Sequence, residues 1–244
     1  MTADEQPIPS VWAREPRRRR EQPVLGRSQI VAEAVRLLDE EGIDALSMRK
    51  LGTRLGAAAT SLYRHVANKD ELLELVVDEV VGELRVPPPG PNWRAAVHEC
   101  ARDIRAVLLR HPWIVTLLGG AGTAYLGPNM MLFSEDMLAL FEGAGLGLPE
   151  ANRAMTIAFA YVIGMTSTEA AWLTMLTRTG RDEAEWMRRM WPVARRAAEP
   201  YPRLRTLYAE QGGEQGDQDP RRHRDEEFEY GLDRVLDGLA PLVP

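Results

Sequence analysis

Cysteine is nearly absent from the sequence, which has a single one, Cys100, among 244 residues. One thiol cannot form an intrachain disulfide, so the chain is not a disulfide-stapled secreted domain, and it suits a reducing cytoplasm. Long apolar runs are absent as well. The most apolar stretch, residues 154–176, is interrupted by Glu169 and by several hydroxyl side chains, so it predicts a core or interface helix and no membrane span. We therefore expect a cytoplasmic protein with no membrane partner.

The residue clusters that mark common enzymes and metal sites are also missing. The sequence contains no phosphate-binding glycine loop, no serine nucleophile elbow and no cysteine–histidine cluster. The four histidines are scattered singly, at His65, His98, His111 and His223. We therefore predict no catalytic residue, no metal site and no cofactor, and we do not expect an enzyme.

What the sequence does contain is enough apolar material for a core, with 45% hydrophobic and 27% charged residues. The apolar residues recur with the period of a helix, and alternating runs of strand length are absent, which predicts an all-α fold. The net charge of −6 argues against a surface that is positive everywhere. Any binding to nucleic acid must therefore be local.

The distribution of proline, glycine and charge divides the chain into three segments. Residues 1–26 are predicted to form a flexible basic arm, residues 27–86 a small helical domain, and residues 87–244 a larger helical domain that begins with the break Pro87-Pro88-Pro89-Gly90-Pro91. A stretch rich in proline, glycine and glutamine predicts a mobile loop at about 200–225. Apolar periodicity predicts helices in the larger domain at about 93–110, 128–143, 149–177, 182–199 and 226–239.

The small helical domain has the plan of a helix-turn-helix unit. Ser28 and Gly42 are predicted to begin and end its first helix, and Ser47 to cap a short second helix. A third short helix is expected at about 60–65, and Asn68 is expected to begin a longer one. In such a unit the second of the two short helices enters the major groove of DNA.

Positive charge is concentrated in this part of the chain. Residues 14–69 contain 12 basic and 7 acidic residues, a local excess of five positive charges in a chain that is acidic overall. The excess includes the run Arg17, Arg18, Arg19 and Arg20, directly upstream of the first helix. Such an asymmetry marks where an anionic partner binds.

Short motifs follow the first helix in a set order: Leu55-Gly56, then Ser61-Leu62-Tyr63-Arg64-His65-Val66, then Asn68-Lys69-Asp70-Glu71-Leu72-Leu73. On these motifs, residues of about 25–84 closely resemble the DNA-binding domain of the TetR family of bacterial transcriptional regulators. Downstream, Asn92-Trp93-Arg94, Arg110-His111-Pro112-Trp113 and the closing Phe228-Glu229-Tyr230-Gly231-Leu232-Asp233-Arg234-Val235-Leu236 resemble the ligand-binding domain of the tetracycline-repressor subgroup. The basic arm is similar to the extension of the simocyclinone repressor, a member of that subgroup.

The resemblance implies roles for individual residues at a DNA operator. Ala59, Thr60 and Ser61 would face base edges or nearby backbone, and Tyr63, His65 and Lys69 would hold phosphates. Arg49, close to the capping Ser47, would reach a base, with guanine as the expected partner.

Some of these assignments keep a structural alternative. Alanine at positions 58 and 59 offers little hydrogen-bond readout, so specificity is expected to depend on Arg49 and on the arginine run, inserted into a minor groove. The ring of Tyr63 could instead pack on the core of the domain. The arginine run could instead be a solubilising tail.

Large, soft side chains are numerous in the C-terminal domain, where they either fill the core or line a ligand cavity. The candidate pocket residues are Trp113, Tyr125, Phe133, Met137, Phe159, Met165, Glu169 and Trp172. Glu169 could meet a ligand cation or amine, or it could pair with an arginine.

The resemblance implies a homodimeric repressor that binds a palindromic double-stranded DNA operator and releases it when a hydrophobic, aromatic small molecule binds. The helix at 149–177 and the final helix, at about 228–239, would form a four-helix dimer interface. The alternative is a small-molecule-binding protein or enzyme with a vestigial DNA-binding head.

Overall fold

The structure, a computed structural model, describes residues 25–118, 126–214 and 219–242. Every regular element in these ranges is helical, which confirms the predicted all-α class. None of these helices is both long and apolar enough to cross a membrane. The helices are α1 (Arg27–Glu41), α2 (Met48–Arg54), α3 (Ala59–Leu62), α4 (Lys69–Val81), α5 (Trp93–Arg110), α6 (Ile114–Leu118), α7 (Pro128–Gly143), α8 (Leu148–Thr179), α9 (Glu183–Ala198), α10 (Pro202–Glu214) and α11 (Pro220–Leu239), with 3₁₀ turns at Ile43–Ala45 and Ala240–Leu242.

The first four helices pack together, α1 against α4 and α2 against both α1 and α3. Ile30, Ala34 and Leu37 on α1 are fully buried because their spacing places them on one helix face. Leu72 and Val76 occupy the equivalent face of α4 and are also fully buried. The apolar residues that recur with the helical period thus pack together in a core between α1 and α4.

Two of the three predicted N-caps are confirmed. The side chains of Ser47 and Asn68 accept hydrogen bonds from the backbone N–H three residues later, at 3.2 Å and 2.7 Å. The prediction for Ser28 is wrong, because the N-cap lies two residues earlier, at Gly26, and α1 begins at Arg27. The Gly26 N–H donates to Gln29 Oε1 at 2.9 Å, so a side chain inside the helix stabilises the start that Ser28 was expected to cap.

Helix α8 is the centre of the C-terminal part and packs against α5, α7 and α11. Small side chains let neighbouring helices approach closely, because the distance between helix axes depends on the residues at the contact. The buried stripe of α8 consists mainly of such residues: Ala151, Ala154, Ala158, Val162, Thr166 and Ala170.

One contact between α8 and α11 requires glycine. Tyr161 Oη donates a hydrogen bond to the Phe228 carbonyl oxygen at 2.9 Å. A Cβ atom added at Gly231 would lie only 2.2 Å from that hydroxyl oxygen. Leu232 and Leu236 are fully buried on the same face of α11 as Phe228. The final helix is therefore fixed against α8 by a close backbone approach.

The prediction of a loop at about 200–225 is wrong for most of that stretch, which is helical. Residues Pro202–Glu214 form α10, and α11 begins at Pro220, earlier than expected. Proline suits the first turn of a helix, since the N–H that it lacks has no helical partner there. The Tyr208 ring also packs on Trp191 of α9, with 5.3 Å between the ring centroids. Helix α10 therefore forms although its two glycines have a low helix propensity.

Candidate nucleic-acid interface and ligand cavities

The turn between α2 and α3 depends on two glycines. Gly56 has φ +62°, a left-handed conformation that glycine adopts at little cost. Gly52 lies so close to the following segment that an added Cβ atom would be 2.7 Å from the Ala57 carbonyl oxygen. Leu62 and Val66 are buried and anchor the far side of the turn. The packing therefore holds α3 at the surface, in the position that a recognition helix requires.

The predicted DNA contacts lie at the start of α2, on and just after α3, and at the start of α4. Tyr63 is 50% exposed, so its ring does not fill the core. Lys69 is the first residue of α4, and the N-terminus of a helix attracts phosphate. Ser47, Arg49, Thr60, Tyr63 and Lys69 are exposed, whereas Ala59, Ser61 and His65 are half-buried.

Many of the positive side chains near these helices form ion pairs with acidic side chains of the same chain. Arg54 donates to Glu33 at 2.6 Å and to Glu40 at 2.7 Å. These hydrogen bonds, first from Glu40 and then from Glu33, raise the pKa of Arg54 above its usual range. Further ion pairs join Arg27 to Glu71, Arg36 to Glu33 and Lys50 to Glu41.

Three exposed cations near α3 make no ion pair in the part of the chain that the structure describes: Arg49, Arg64 and Lys69. A phosphate or base can bind these side chains without breaking an internal pair. Arg64 is not among the predicted DNA contacts, although it lies between Tyr63 and His65 in the recognition motif.

Some predicted site residues lie outside the described residues. They are Arg17, Arg18, Arg19 and Arg20 of the arm, together with Tyr125 of the candidate ligand pocket. Their roles stay predictions.

An apolar cavity lies between α4, α5, α6, α7 and α8. Phe133 and Phe159 of the candidate pocket line it, with 6.1 Å between their ring centroids. Val80 and Val81, near the end of α4, line it as well. The cavity has a volume of about 20 Å³, which is room for about one water molecule. A larger ligand can therefore enter only if the lining side chains or the surrounding helices move.

Three other residues of the candidate pocket do not share that cavity. Trp113 is buried and donates its Nε1–H to Asp39 Oδ1 at 2.7 Å. Met137 is buried beside Cys100, whose Sγ donates to Met137 Sδ at 3.4 Å. Met165 is exposed on α8. The sequence shows that these three side chains are large and apolar, but it does not show whether each faces the cavity, the core or solvent.

Glu169 and Trp172 belong to a polar network. Arg105 donates to Glu169 at 2.7 Å and 2.9 Å, and Arg224 donates to it at 3.0 Å. Trp172 Nε1 donates to Glu183 at 2.6 Å, and Arg224 donates to the same carboxylate. Glu169 therefore pairs with arginines, one of the two alternatives that the sequence left open.

A buried contact that the sequence did not reveal joins α1 to the corner between α5 and α6. His111 Nδ1 lies 2.6 Å from Asp39 Oδ1, the oxygen that also accepts the Trp113 hydrogen bond. His111 Nε2 lies 3.2 Å from Glu83 Oε1. Asp39 thus connects the N-terminal helices to the C-terminal part.

A second connection joins α4 to the start of α7. Asp78 Oδ1 accepts a hydrogen bond from Met130 N at 3.0 Å, and Asn129 Nδ2 donates to Asp78 Oδ2 at 3.2 Å. Burial raises the pKa of the Asp78 carboxyl above its usual range. A movement of α7 is therefore felt directly by α4.

Family comparison covers both the candidate DNA-binding helices and the region of the cavities. The family described as the tetracyclin repressor-like C-terminal domain matches residues 86–243, and that of the bacterial regulatory proteins of the tetR family matches residues 30–76. The chain belongs to the TetR family of bacterial transcriptional regulators. The resemblance carried by the recognition-helix motifs is thereby confirmed.

Similar TetR-family proteins are named as regulators. The chain is 38% identical over 232 residues to an HTH-type transcriptional regulator of Saccharopolyspora erythraea, covering 95% of this chain and 91% of that protein. It is 34% identical over 225 residues to the HTH-type transcriptional repressor DrrR1 of Streptomyces coeruleorubidus, covering 91% and 79% of the two chains. The crystal structure of the Streptomyces coelicolor TetR family protein ActR in complex with actinorhodin superposes with a TM-score of 0.73 at 31% identity, covering 90% of this chain and 97% of that one.

Proposed function

We propose that this TetR-family protein is a homodimeric transcriptional repressor that acts on double-stranded DNA in the cytoplasm and leaves its operator when a small molecule binds. The observation that carries the proposal is the set of exposed cations around α3, Arg49, Arg64 and Lys69, which make no ion pair in the described ranges. Phosphates supply most of the affinity of such an interface, and base contacts supply its specificity.

The exposed face of α8 supports a second copy of the chain as the partner. Ile157 is 49% exposed, and Met165 is exposed about two turns of the helix further on. Between them, Gly164 has no atom within 4 Å of an added Cβ, so a neighbouring helix has room to approach. Tyr230 on α11 is also exposed. Packed as a four-helix interface, two copies would hold their recognition helices about 34–36 Å apart or somewhat further, which suits a near-palindromic operator.

The apolar cavity supports a hydrophobic, aromatic effector. Its wall is aliphatic and aromatic, and α4 runs from Lys69 at the candidate DNA interface to Val80 and Val81 at the cavity. A ligand that widens this cavity of about 20 Å³ must displace its lining side chains or the helices that carry them. The related protein ActR was solved in complex with actinorhodin, which is therefore the first compound to test.

Titration of promoter DNA from the protein's own gene tests the DNA interface. Lys69→Ala should weaken binding about equally for all operator sequences and lower the salt slope by roughly one ion per protomer. Arg49→Ala should cost about 1–3 kcal/mol and relax the preference at one base pair. The control is Arg222→Ala, which removes an exposed arginine of α11 that pairs with Glu226.

The outcome that contradicts the proposal is an unchanged affinity and salt slope for Lys69→Ala. If the wild-type protein fails to retard its promoter DNA at all, the alternative of a small-molecule-binding protein or enzyme with a vestigial DNA-binding head is favoured.

The basic arm is proposed to add minor-groove contacts. Deletion of residues 1–24 should weaken operator binding without changing melting temperature or dimer mass, most strongly for operators with A·T-rich flanks, where the minor groove is narrow. Equal affinity of the truncated and full-length proteins in moderate salt would reduce the arm to a solubilising tail.

The ligand response is tested by melting temperature and by release of bound DNA. An aromatic effector should raise the first and cause the second, and Phe159→Ala, in the cavity wall, should weaken the response more than operator affinity. Truncating a fully buried phenylalanine costs about 3–5 kcal/mol. Phe159 is only half-buried, so its truncation should cost less than that, and circular dichroism and dimer mass are measured first. The proposal fails if neither actinorhodin nor a broad library of aromatic compounds changes either quantity.

A further inference from the structure

A second cavity, of about 640 Å³, opens between the end of α8, α9 and the start of α11. It is separate from the apolar cavity, because the two have no lining residue in common. Its volume lies within the range of about 300–1,000 Å³ that is typical of small-molecule sites. Unlike the apolar cavity, it needs no helix movement to admit a ligand.

Two tryptophans form apolar walls of this cleft, and both are held in place. Trp172 is fixed by its hydrogen bond to Glu183 at 2.6 Å, and Trp191 packs on Tyr208 with 5.3 Å between ring centroids. Met187 adds a polarisable side chain to the wall. Fixed indole rings favour flat aromatic partners, which stack on them without a further loss of side-chain freedom.

The charged side chains of the cleft favour an anion. Arg188, Arg224 and His223 line it, and Glu183 is the single acid among its lining residues. That carboxylate already accepts hydrogen bonds from Trp172 and Arg224. Arg188 is exposed and makes no ion pair with any residue that the structure describes. Arg224 already donates to Glu169 and Glu183, so Arg188 is the lining arginine that remains to meet a ligand anion.

We infer that this cleft binds a flat aromatic molecule carrying an anionic group, with the rings against Trp172 and Trp191 and the anion at Arg188. A neutral aromatic compound would gain only the stacking, and an inorganic anion would gain only the charge contact with the exposed arginine. The inference concerns binding of the small molecule alone, so it stands or falls independently of DNA binding.

Fluorescence titration with anilinonaphthalene sulfonate, an aromatic anion, tests the site against its uncharged analogue phenylnaphthylamine. Arg188→Ala should weaken sulfonate binding by roughly three- to tenfold, since a charge-assisted contact at a partly exposed site is lost. It should leave binding of the uncharged analogue unchanged. Ala184→Trp, which fills the cleft from its α9 wall, should abolish binding of both probes. The matched control is Arg189→Ala, the next arginine on α9, which does not line the cleft and should bind like wild type.

Equal sulfonate affinity of the wild-type, Arg188→Ala and Arg189→Ala proteins would overturn the inference, because the probe would then bind elsewhere or without its charge. Dissociation of the dimer by Ala184→Trp would also overturn it, since the cleft would then be a contact between subunits. If Ala184→Trp fails to fold, as judged by circular dichroism, the comparison of the two arginine variants decides alone.

Discussion

Replacing Asp39 by alanine tests whether the DNA-binding helices are mechanically joined to the C-terminal part of the chain. Asp39 lies near the end of α1, and one of its oxygens accepts hydrogen bonds from both His111 and Trp113. The variant keeps the helix but removes the acceptor. Its effect therefore reports on the contact of Asp39 with His111 and Trp113 and not on the stability of α1 itself.

The size of the effect follows from the burial of the two donors. Each of the two residues His111 and Trp113 is only 4% exposed, and a buried polar group left without its partner costs about 1–3 kcal/mol. The Asp39 side chain is 30% exposed, so water can partly replace the lost oxygen and the total should fall near the low end. We expect Asp39→Ala to lower the free energy of unfolding by about 2–4 kcal/mol. Asp39→Asn, which keeps one acceptor oxygen, should cost about half as much.

Denaturant unfolding measures this change, with Asp44→Ala as the control, because Asp44 is exposed in the 3₁₀ turn that follows α1. The same variants are then titrated with operator DNA in the presence and absence of an effector. If Asp39 transmits the response, Asp39→Asn should reduce effector-induced release more than operator affinity. A stability within about 0.5 kcal/mol of wild type for Asp39→Ala would refute the reasoning.

Three further predictions concern separate parts of the fold. Gly52→Ala places a Cβ atom 2.7 Å from the Ala57 carbonyl oxygen, so it should abolish operator binding in a gel shift and cost about 1–3 kcal/mol by calorimetry; unchanged operator affinity would contradict the packing argument. Hydrogen bonding from Arg102 is the main cause that holds the pKa of Glu229 below its usual range, so this contribution to stability is present above about pH 4 and is lost as the pH falls further. The stability difference between wild type and Glu229→Gln should accordingly vanish in acid, and a difference that grows there would be inconsistent with the pairing. Burial raises the pKa of the Cys100 thiol to about 12, so iodoacetamide at about pH 8 should label the native protein no faster than it unfolds, and rapid labelling would show the thiol to be accessible.

The helices that the sequence predicted well are those with a long buried stripe. The expected bounds for α5 and α7 agree with Trp93–Arg110 and Pro128–Gly143, because burial of one face imposes a period that can be read over several turns. Helix α6 has 5 residues, too few to show a period. Helix α10 is exposed along most of its length, so its apolar residues form no buried stripe. Its main packing contact, between Tyr208 and Trp191, joins two helices and leaves no local signal.

The candidate DNA interface lies within one short segment of the chain, whereas the candidate ligand pocket combines residues that are far apart in the sequence. The predicted DNA contacts outside the arm lie within 47–69, where short-range turn and cap signals predict the helices, while their roles at DNA come from the family resemblance and stay predictions. The apolar cavity draws its wall from five helices, and residue type alone cannot say that Phe133 and Phe159 face it while Trp113 does not. The sequence predicts the net charge of this segment, but not which of its basic side chains are already paired. The sequence shows the basic excess, but the structure shows that Arg54 is occupied by Glu33 and Glu40.

Under the proposed function, the buried contacts of Asp39 and Asp78 limit how an effector acts. Asp39 ties α1 to the corner between α5 and α6, and Asp78 ties α4 to α7. Because α1 and α4 share one fully buried face, a force on either helix moves both, and α3 moves with them through its packing on α2. Widening the apolar cavity pushes on α4 directly, so it should tilt the whole N-terminal unit and not α4 alone. The effector can shift the equilibrium between the DNA-binding arrangement and the tilted arrangement only by the difference in its binding free energy for the two. A ligand that binds both arrangements equally does not shift the equilibrium. An effector that binds tightly but leaves the Asp78 contacts intact should therefore stabilise the protein against heat without releasing DNA.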